Sequence, residues 1–235
     1  MKKLEQLYEG KAKKVFKTDN ADHYLIEYKD DATAFNGEKR GSIEDKGVVN
    51  NLMSAKMFQL LENEGVESHL VELLNDREML VKAVEIIQVE VIVRNVATGS
   101  MVRRLGIEDG ITLEPTVLEY CLKSDAFGDP IINDYHIAAM KLATEDEMKQ
   151  IRDMAFKINE FMKETFIKLD LKLIDFKLEF GRFKGKVILA DEISPDTCRF
   201  WEVGTNRKMD KDRFRQDLGN VKATYQEVLK KVQTL

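Results

Sequence analysis

The segment from Leu171 to Trp201 constrains the fold of this chain most strongly. It reads LKLIDFKLEFGRFKGKVILADEISPDTCRFW, with two strand-like runs that carry ionisable residues inside otherwise apolar sequence. In the first run polar and apolar residues alternate, so a strand places Asp175, Lys177 and Glu179 on one face. The sequence therefore predicts a β-hairpin with one charged face.

The link GRFKGK determines which residues lie opposite that face. Gly185 favours a three-residue loop, Phe183 to Gly185, with this glycine in a left-handed conformation. Counting back from the loop places Asp191 across from Lys177, on the charged face. A two-residue loop instead turns Asp191 away, because a shift of one residue moves every side chain to the other face.

Acidic groups that converge on one face repel each other unless a cation, a shared proton or a lysine lies between them. Glu179 and Asp191 are therefore candidate metal ligands. Oxygen ligands with no histidine nearby favour Mg²⁺, which commonly takes one or two carboxylates together with phosphate oxygens. The alternative is a solvated hairpin face, because alternating charge is also the normal exterior of an antiparallel sheet.

The composition predicts a compact globular protein near the size at which one core divides into two lobes. The chain has 235 residues, of which 43% are hydrophobic and 34% charged, with only three prolines. The net charge of −5 and the scattered basic residues argue against nucleic acid as the main partner. We also expect no membrane span, no export signal, and reduced thiols at Cys121 and Cys198 in a cytosol.

The remaining pattern predicts an α+β fold with antiparallel sheets and flanking helices. Residues 7–16 and 23–30 are each typical of a strand, and two buried strands are predicted in residues 79–97, separated near Gln88. Helices are predicted from Lys46 to Glu64, after the capping box of Thr144 and Glu147, and over residues 210–232 with a break at Gly219. We expect a smaller β-rich lobe over residues 1–84 and a larger lobe over residues 85–235.

Two further motifs are candidate phosphate sites. In YEGKAKKVF, Lys11 and Lys13 project from the same side of the predicted strand and can straddle a polyphosphate, although exposed lysines are more often solubilising. In VRNVATGS, Arg94 and Ser100 can converge on a phosphate monoester beside a helix start. The alternative there is an ordinary strand-to-helix turn with Ser100 as its N-cap.

The sequence SPDTCRFW presents Asp196 and Arg199 after a proline-directed extended residue, and KDRFRQDLG places Arg215 near a helix start. Cations gain nothing from the dipole at that position, so an anion or solvent must compensate Arg215. The alternatives are a turn capped by Asp196 and an arginine that covers Trp201. The three histidines have no paired spacing, so neither a zinc site nor a histidine triad is predicted.

Taken together, several strings resemble the SAICAR synthetase family, also named phosphoribosylaminoimidazole-succinocarboxamide synthase. They run in order from Leu7 to Gly219: LYEGKAKKVF, DDATAFNG, KGVVNN, VEVIVRNVATGS, DFKLEFG, DEISPDTCRFW and KDRFRQDLG. The resemblance implies a two-lobed α+β fold related to ATP-grasp enzymes and protein kinases, with ATP between the lobes. It implies ligation of the carboxylate of carboxyaminoimidazole ribonucleotide (CAIR) to the amine of L-aspartate, giving SAICAR, ADP and phosphate in de novo purine synthesis.

The resemblance also implies roles for individual residues. It places Lys11 and Lys13 on the phosphates of ATP, Lys123 close to the nucleotide, and backbone groups of Lys82 and Val84 at the adenine. It places Mg²⁺ on Glu179 and Asp191, and the reacting substrate beside Asp175 and Lys177. The remaining substrate-binding residues implied are Arg94, Ser100, Asp196, Arg199 and Arg215.

The resemblance further implies a cytoplasmic homodimer whose partners are its small-molecule substrates. Without the resemblance, two rival functions fit the same residues. One is a kinase-like phosphotransferase that acts on an alcohol, and the other is a nucleotide-sensing module without catalysis.

Overall fold

The computed structural model describes residues 2–34 and 37–235 and has two main antiparallel sheets. Phe35 and Asn36, from the string DDATAFNG, lie outside the described residues. The first sheet has the order β1-β2-β3-β7-β6, with these strands: β1 Lys3–Glu9, β2 Lys13–Thr18, β3 His23–Tyr28, β6 Leu70–Leu73 and β7 Glu78–Lys82. A separate small ribbon pairs β4, Asp31–Ala34, with β5, Lys39–Ser42.

The second sheet has the order β10-β9-β8-β11-β12, and β13 also pairs with β11. Its strands are β8 Glu85–Val96, β9 Thr112–Leu122, β10 Ile131–Ile132, β11 Leu171–Phe183, β12 Lys186–Ala190 and β13 Cys198–Glu202. The helices are α1 Lys46–Asn63, α2 Ser100–Leu105, α3 Asp134–Ala139, α4 Glu145–Ile167, α5 Asp212–Arg215 and α6 Val221–Val232. This mixture of antiparallel sheets and helices confirms the predicted α+β class.

Helix α1 contributes to the core on both sides. Its Ala55 packs in a cluster with Met79 and Val81 of the first sheet. Its Met53 and Phe58, both fully buried, belong to the large core cluster that also contains the apolar residues of the second sheet. One helix therefore joins the cores of the two sheets.

Three predicted helix boundaries are confirmed. Helix α4 begins with the predicted capping box, in which Thr144 accepts from the Glu147 amide and the Glu147 carboxylate accepts from the Thr144 amide. Helix α1 is followed by Gly65 in a left-handed conformation, φ 77°, and the terminal helical segment is broken into α5 and α6 around Gly219. In the described part of the chain, no helix is long and apolar enough to cross a membrane.

Two strand predictions are wrong. Residues 7–16 form the end of β1 and the start of β2, because a turn at residues 10–12 reverses the chain. Lys11 therefore lies in this turn and Lys13 opens β2, so the two lysines do not share a strand face. The break within residues 79–97 lies at Ala83 and Val84, whereas Gln88 lies inside β8.

Candidate active site

The predicted hairpin exists as β11 and β12, but its register differs by one residue from the prediction. The loop has two residues, Lys184 and Gly185, with φ values of 49° and 81°. Positive φ at both positions is the requirement of a type I′ turn, which matches the twist of the strands. Phe183 therefore pairs with Lys186, and Glu179 with Ala190 rather than Leu189.

Asp191 nevertheless reaches the charged face, by a different route from the one predicted. It lies just beyond the end of β12 and has a left-handed backbone, φ 62°. This conformation redirects its carboxylate, whose Oδ1 lies 2.5 Å from the Nζ of Lys13 and whose Oδ2 lies 3.4 Å from the Nζ of Lys177. The predicted convergence is confirmed, although the predicted pairing with Lys177 is wrong.

The charged face is buried, which argues against the alternative of a solvated hairpin. Strand β11 lies inside the sheet, between β8 on one side and β12 and β13 on the other. Asp175 and Glu179 are each only 3% exposed. Buried acids at this density require compensating positive charges.

Lysines supply that charge at one end of the face. Glu179 lies directly across from Glu90 of β8, and the Nζ of Lys177 lies 2.5 Å from Glu179 and 3.0 Å from Glu90. Lys123 donates to the same oxygen of Glu179 at 2.8 Å. Lys13 reaches both Asp191 and Glu192, the latter at 2.8 Å. We call this region the lysine end; it comprises Lys13, Lys123, Lys177, Glu90, Glu179, Asp191 and Glu192.

Protonation states at the lysine end follow from these contacts. Burial alone raises the pKa of Asp191, but the charges of Lys13 and Lys177 hold it well below its usual range. Burial likewise opposes the charge on Lys177, yet Glu179 and Asp191 raise its pKa well above normal. The pKa of Glu90 is raised, chiefly by burial, although Lys177 opposes this shift.

Arginines dominate the other end of the face, where Asp175 lies between two of them. In the sheet register Asp175 pairs with Arg94 of β8 and with Arg199 of β13. Its Oδ2 accepts from Arg94 Nη1 at 2.6 Å and from Arg199 Nη1 at 2.9 Å. Strand pairing therefore fixes both guanidinium groups beside one carboxylate.

Further carboxylates extend this chain of alternating charge. Arg94 donates through Nε to Glu119 at 2.7 Å and through Nη2 to Ser100 Oγ at 3.1 Å. Asp212, 2% exposed, accepts from Arg199 Nε at 2.9 Å and from Arg215 Nη1 at 2.6 Å. We call this region the arginine end; it comprises Arg94, Ser100, Glu119, Asp175, Arg199, Asp212 and Arg215.

Gly99 leaves the space that Arg199 occupies. It is the N-cap residue of α2, with φ 61°, so Ser100 is the first helical residue rather than the cap. A Cβ atom at Gly99 would lie 2.9 Å from Arg199 Nη2. The glycine is therefore required both by its backbone conformation and by the guanidinium packed against it.

The two ends line one cleft of about 480 Å³. Twelve of the fourteen predicted site residues line it: Lys11, Lys13, Arg94, Ser100, Lys123, Asp175, Lys177, Glu179, Asp191, Asp196, Arg199 and Arg215. Lys11 lies at its mouth, where its Nζ contacts Asp125 at 2.7 Å. The structure therefore brings together residues that are widely separated in sequence.

Lys82 and Val84 are the two predicted residues that are not among the described lining residues. Lys82 ends β7, and its Nζ lies 3.0 Å from Glu67. The Val84 amide donates to the Lys82 carbonyl at 2.9 Å. Their proposed contact with adenine through backbone groups stays a prediction.

Sequence reasoning missed several residues of the cleft and its support. Glu90, Glu192 and Lys211 line it, and Glu119 and Asp212 hold its arginines. Glu192 follows Asp191 directly, and Lys211 lies in the quoted string KDRFRQDLG, so adjacency to a predicted site was the available signal. Asp212 lies in the same string, but its two arginine partners are set by tertiary contacts that adjacency does not reveal.

An α+β fold with one cleft of buried acids, lysines and arginines defines an enzyme that handles phosphorylated substrates. The model of the family described as SAICAR synthetase matches residues 6–232 of the chain. The phosphoribosylaminoimidazole-succinocarboxamide synthase of Caldanaerobacter subterraneus subsp. tengcongensis is 58% identical over 99% of each chain.

Solved structures agree with this match. The crystal structure of phosphoribosylaminoimidazole-succinocarboxamide synthase from Ehrlichia chaffeensis superposes with a TM-score of 0.96 at 41% identity, covering 98% of this chain and 99% of that one. A SAICAR synthetase in complex with ADP superposes with a TM-score of 0.94, also at 41% identity, covering 98% of each chain.

The chain belongs to the SAICAR synthetase family. It is an ATP-dependent ligase that joins the carboxylate of CAIR to the amine of L-aspartate, giving SAICAR, ADP and phosphate in de novo purine biosynthesis.

Proposed function

We propose that the cleft carries out this ligation through an acyl phosphate, with ATP at the lysine end and CAIR at the arginine end. The observation that carries this proposal is the division of one cleft into these two ends. A carboxylate is a poor electrophile, so its oxygen first attacks the γ-phosphorus of ATP and ADP leaves. The aspartate amine then attacks the acyl carbon, phosphate leaves with the former carboxylate oxygen, and the amine loses a proton.

Phosphoryl transfer depends mainly on alignment and on neutralisation of charge, so it requires no protein nucleophile. In this proposal Lys11, Lys13 and Lys123 bind the phosphates of ATP, and Lys177 lies beside the reacting carboxylate of CAIR. Backbone groups of Lys82 and Val84 contact the adenine after the Val84 amide exchanges its bond to the Lys82 carbonyl. The ADP bound by the solved relative supports a nucleotide site in this fold.

The lysine end also suits Mg²⁺, which we propose is held by Glu179 and Asp191. The charges of Lys13 and Lys177 outweigh burial, hold the pKa of Asp191 well below its usual range and so leave it ionised, and both residues offer oxygen ligands. Within residues 2–34 and 37–235, no group of three or more His, Cys, Asp or Glu side chains is arranged to hold a metal ion. Two carboxylates suit Mg²⁺, which takes few protein ligands beside phosphate oxygens and water. When bound, the ion neutralises phosphate charge.

At the arginine end we propose that Arg94, Ser100 and Arg199 bind the phosphate of CAIR. Asp175 orients the two guanidinium groups, since it accepts from both. Arginine suits this role because its planar fork matches phosphate oxygens. Asp196 and Arg215 lie further along the cleft, next to the proposed position of L-aspartate.

The acyl phosphate can be tested by isotope transfer. CAIR labelled with a heavy oxygen isotope in its carboxylate should give inorganic phosphate that carries one labelled oxygen per turnover, measured by mass spectrometry. Unlabelled phosphate would contradict this route. ADP release should also require both CAIR and L-aspartate; turnover with an alcohol acceptor would favour the kinase-like rival, and ATP binding without release would favour the sensing module.

We also propose the lobe division at residues 84 and 85, and a cytoplasmic homodimer. The division is supported by β7 and β8, which belong to different sheets although only Ala83 and Val84 separate them. The homodimer and its location follow from the family resemblance. Light scattering on the purified chain should give twice the chain mass; the mass of one chain would contradict the dimer.

A further inference from the structure

Two cations lie on the same side of the short helix α5 and both line the cleft. Lys211 is the N-cap residue of α5 and Arg215 its last residue, so they stand four positions apart. Side chains at this spacing are neighbours on a helical face, and like charges there repel each other. The pair therefore favours an anion between or beside its members.

The carboxylate nearest to Lys211 is already shared. Asp196 Oδ2 lies 3.2 Å from Lys211 Nζ and 3.0 Å from the Nζ of Lys46, which is fully buried. Asp196 Oδ1 accepts from the hydroxyl of Tyr225 at 2.6 Å. One carboxylate thus faces two lysines. This leaves an excess positive charge in the part of the cleft around Lys211 and Arg215, which we call the corner.

The protonation of Lys211 reflects that excess. Burial lowers its pKa, and although Asp196 opposes this shift, Arg215 and Lys46 lower the pKa further. A second carboxylate beside Lys211 would reverse the effect and stabilise the protonated lysine.

Arg94 and Arg199 use more of their nitrogens in hydrogen bonds within the protein than Arg215 does. Arg94 uses Nε, Nη1 and Nη2 on partners within the arginine end, and Arg199 uses Nε and Nη1. Among the described residues, Arg215 hydrogen-bonds only through Nη1, to Asp212. Among the described residues, Arg215 thus keeps four of its five donors for a ligand, and Lys211, which bonds only Asp196, keeps two of its three.

We propose that Lys211 is a binding residue for L-aspartate and, together with Arg215, holds one of its carboxylates. This inference rests on the proposed arrangement of substrates in the cleft and adds the residue that selects a dicarboxylic amino acid. Lysine contributes a mobile point charge and arginine a planar fork, a combination that suits a carboxylate. An amino acid with a neutral side chain lacks the second carboxylate that this pair of cations would hold.

The test is the substitution Lys211→Met, which keeps the length of the side chain and removes its charge. We expect the KM for L-aspartate to rise roughly 10- to 100-fold, the range for a lost hydrogen bond to a charged group, with unchanged KM values for ATP and CAIR. Lys211→Arg should restore much of the affinity. The matched control is Lys208→Met, three residues earlier, where Nζ bonds Gln216 and the residue is not among the described lining residues of the cleft.

Succinate separates recognition of the carboxylates from action on the amine, because it has two carboxylates and no amine. The inhibition constant of succinate should rise in Lys211→Met by the same factor as the KM for aspartate. An unchanged constant with a lower kcat, or a rise confined to the KM for CAIR, would overturn the proposal.

Folding of the variant is checked by its thermal unfolding, and Asp196 keeps Lys46 and Tyr225 as partners after the substitution. If Lys211→Met does not fold, Lys211→Gln, which also removes the charge, carries the test: a raised KM for aspartate alone supports the proposal, and unaltered kinetics overturn it. Failure of the proposed function would differ, because the wild-type protein would then show no aspartate-dependent release of ADP.

Discussion

The two ends of the cleft compensate buried acids in different ways. At the lysine end, flexible side chains from separate segments reach the carboxylates as single point charges. At the arginine end, strand register fixes Arg94 and Arg199 on either side of Asp175. We infer that the lysine end can exchange its partners when a metal ion and phosphates enter, whereas the arginine end is already built for its ligand.

The largest expected effect is loss of charge at the lysine end. Asp191→Asn should lower the Mg²⁺-dependent kcat by roughly 10²- to 10³-fold, the scale of a lost electrostatic contact to the transition state, and residual turnover should require a higher Mg²⁺ concentration. Glu179→Gln should behave in the same way. Asparagine tolerates the left-handed backbone of Asp191, so the fold should persist. ADP release over a range of Mg²⁺ concentrations provides the measurement.

The matched control is Asp125→Asn, which removes a carboxylate at the mouth of the cleft, paired with Lys11. It should retain the response to Mg²⁺. Wild-type turnover in both Asp191→Asn and Glu179→Gln would remove the metal role from these acids.

A smaller effect is expected from Asp212→Asn at the arginine end. Because Asp212 accepts from both Arg199 and Arg215, its loss of charge should raise the KM values for CAIR and L-aspartate by about tenfold. The KM for ATP and the response to Mg²⁺ should not change, as steady-state kinetics at fixed Mg²⁺ will test. Asp217→Asn, an exposed acid that pairs with Lys39, is the control.

If Asp212→Asn instead raised the KM for ATP as much as that for CAIR, the two ends would not be separable. The lysine end and the arginine end would then not bind separate substrates.

Gly99→Ala should have a still smaller effect, confined to the arginine end. The new methyl group meets Arg199 Nη2 at 2.9 Å, so the guanidinium must shift and the KM for CAIR should rise a few-fold. Gly106→Ala is a control, because Gly106 also has a positive φ, 64°, but no atom lies within 4 Å of its added Cβ. Equal kinetics in both variants would mean that backbone strain, rather than Arg199, explains the change.

The smallest effect on turnover, with a clear effect on stability, is expected at His69. Burial lowers the pKa of His69 from 6.5 to about 3, so the unfolded chain binds a proton that the folded chain cannot. The contribution of His69 to stability is therefore complete above pH 6.5 and is lost progressively as the pH drops towards 3. The total loss should be a few kcal/mol, because each tenfold change in proton affinity is worth about 1.4 kcal/mol. Denaturant unfolding at a series of pH values measures this slope.

Substitution of His69 by Leu should flatten the slope, whereas substitution of the exposed His136 by Gln should leave it intact. An unchanged slope in the His69 variant would assign the acid sensitivity to other groups.

The sequence predicts those parts of the site that depend on short-range patterns. Alternation in β11 predicted the shared face of Asp175, Lys177 and Glu179, because the side-chain period of a strand is fixed. The capping box and the glycines likewise predicted the start of α4 and the ends of two helical segments. Each of these signals depends on neighbours within a few residues.

The missing parts depend on backbone choices and distant partners. A turn of two rather than three residues and the left-handed backbone of Asp191 decide its position, and neither is dictated by residue type. Asp212 and Lys211 acquire their roles only when Arg199 and Asp196 come near in the folded chain. Such tertiary pairings leave no periodic pattern in the sequence.

The position of helix α1 determines how the protein unfolds on heating. Because its Ala55 packs on one sheet and its Phe58 on the core of the other, neither sheet can lose its apolar contacts without exposing part of this helix. Heating should therefore give a single heat-absorption peak rather than a separate peak for each sheet.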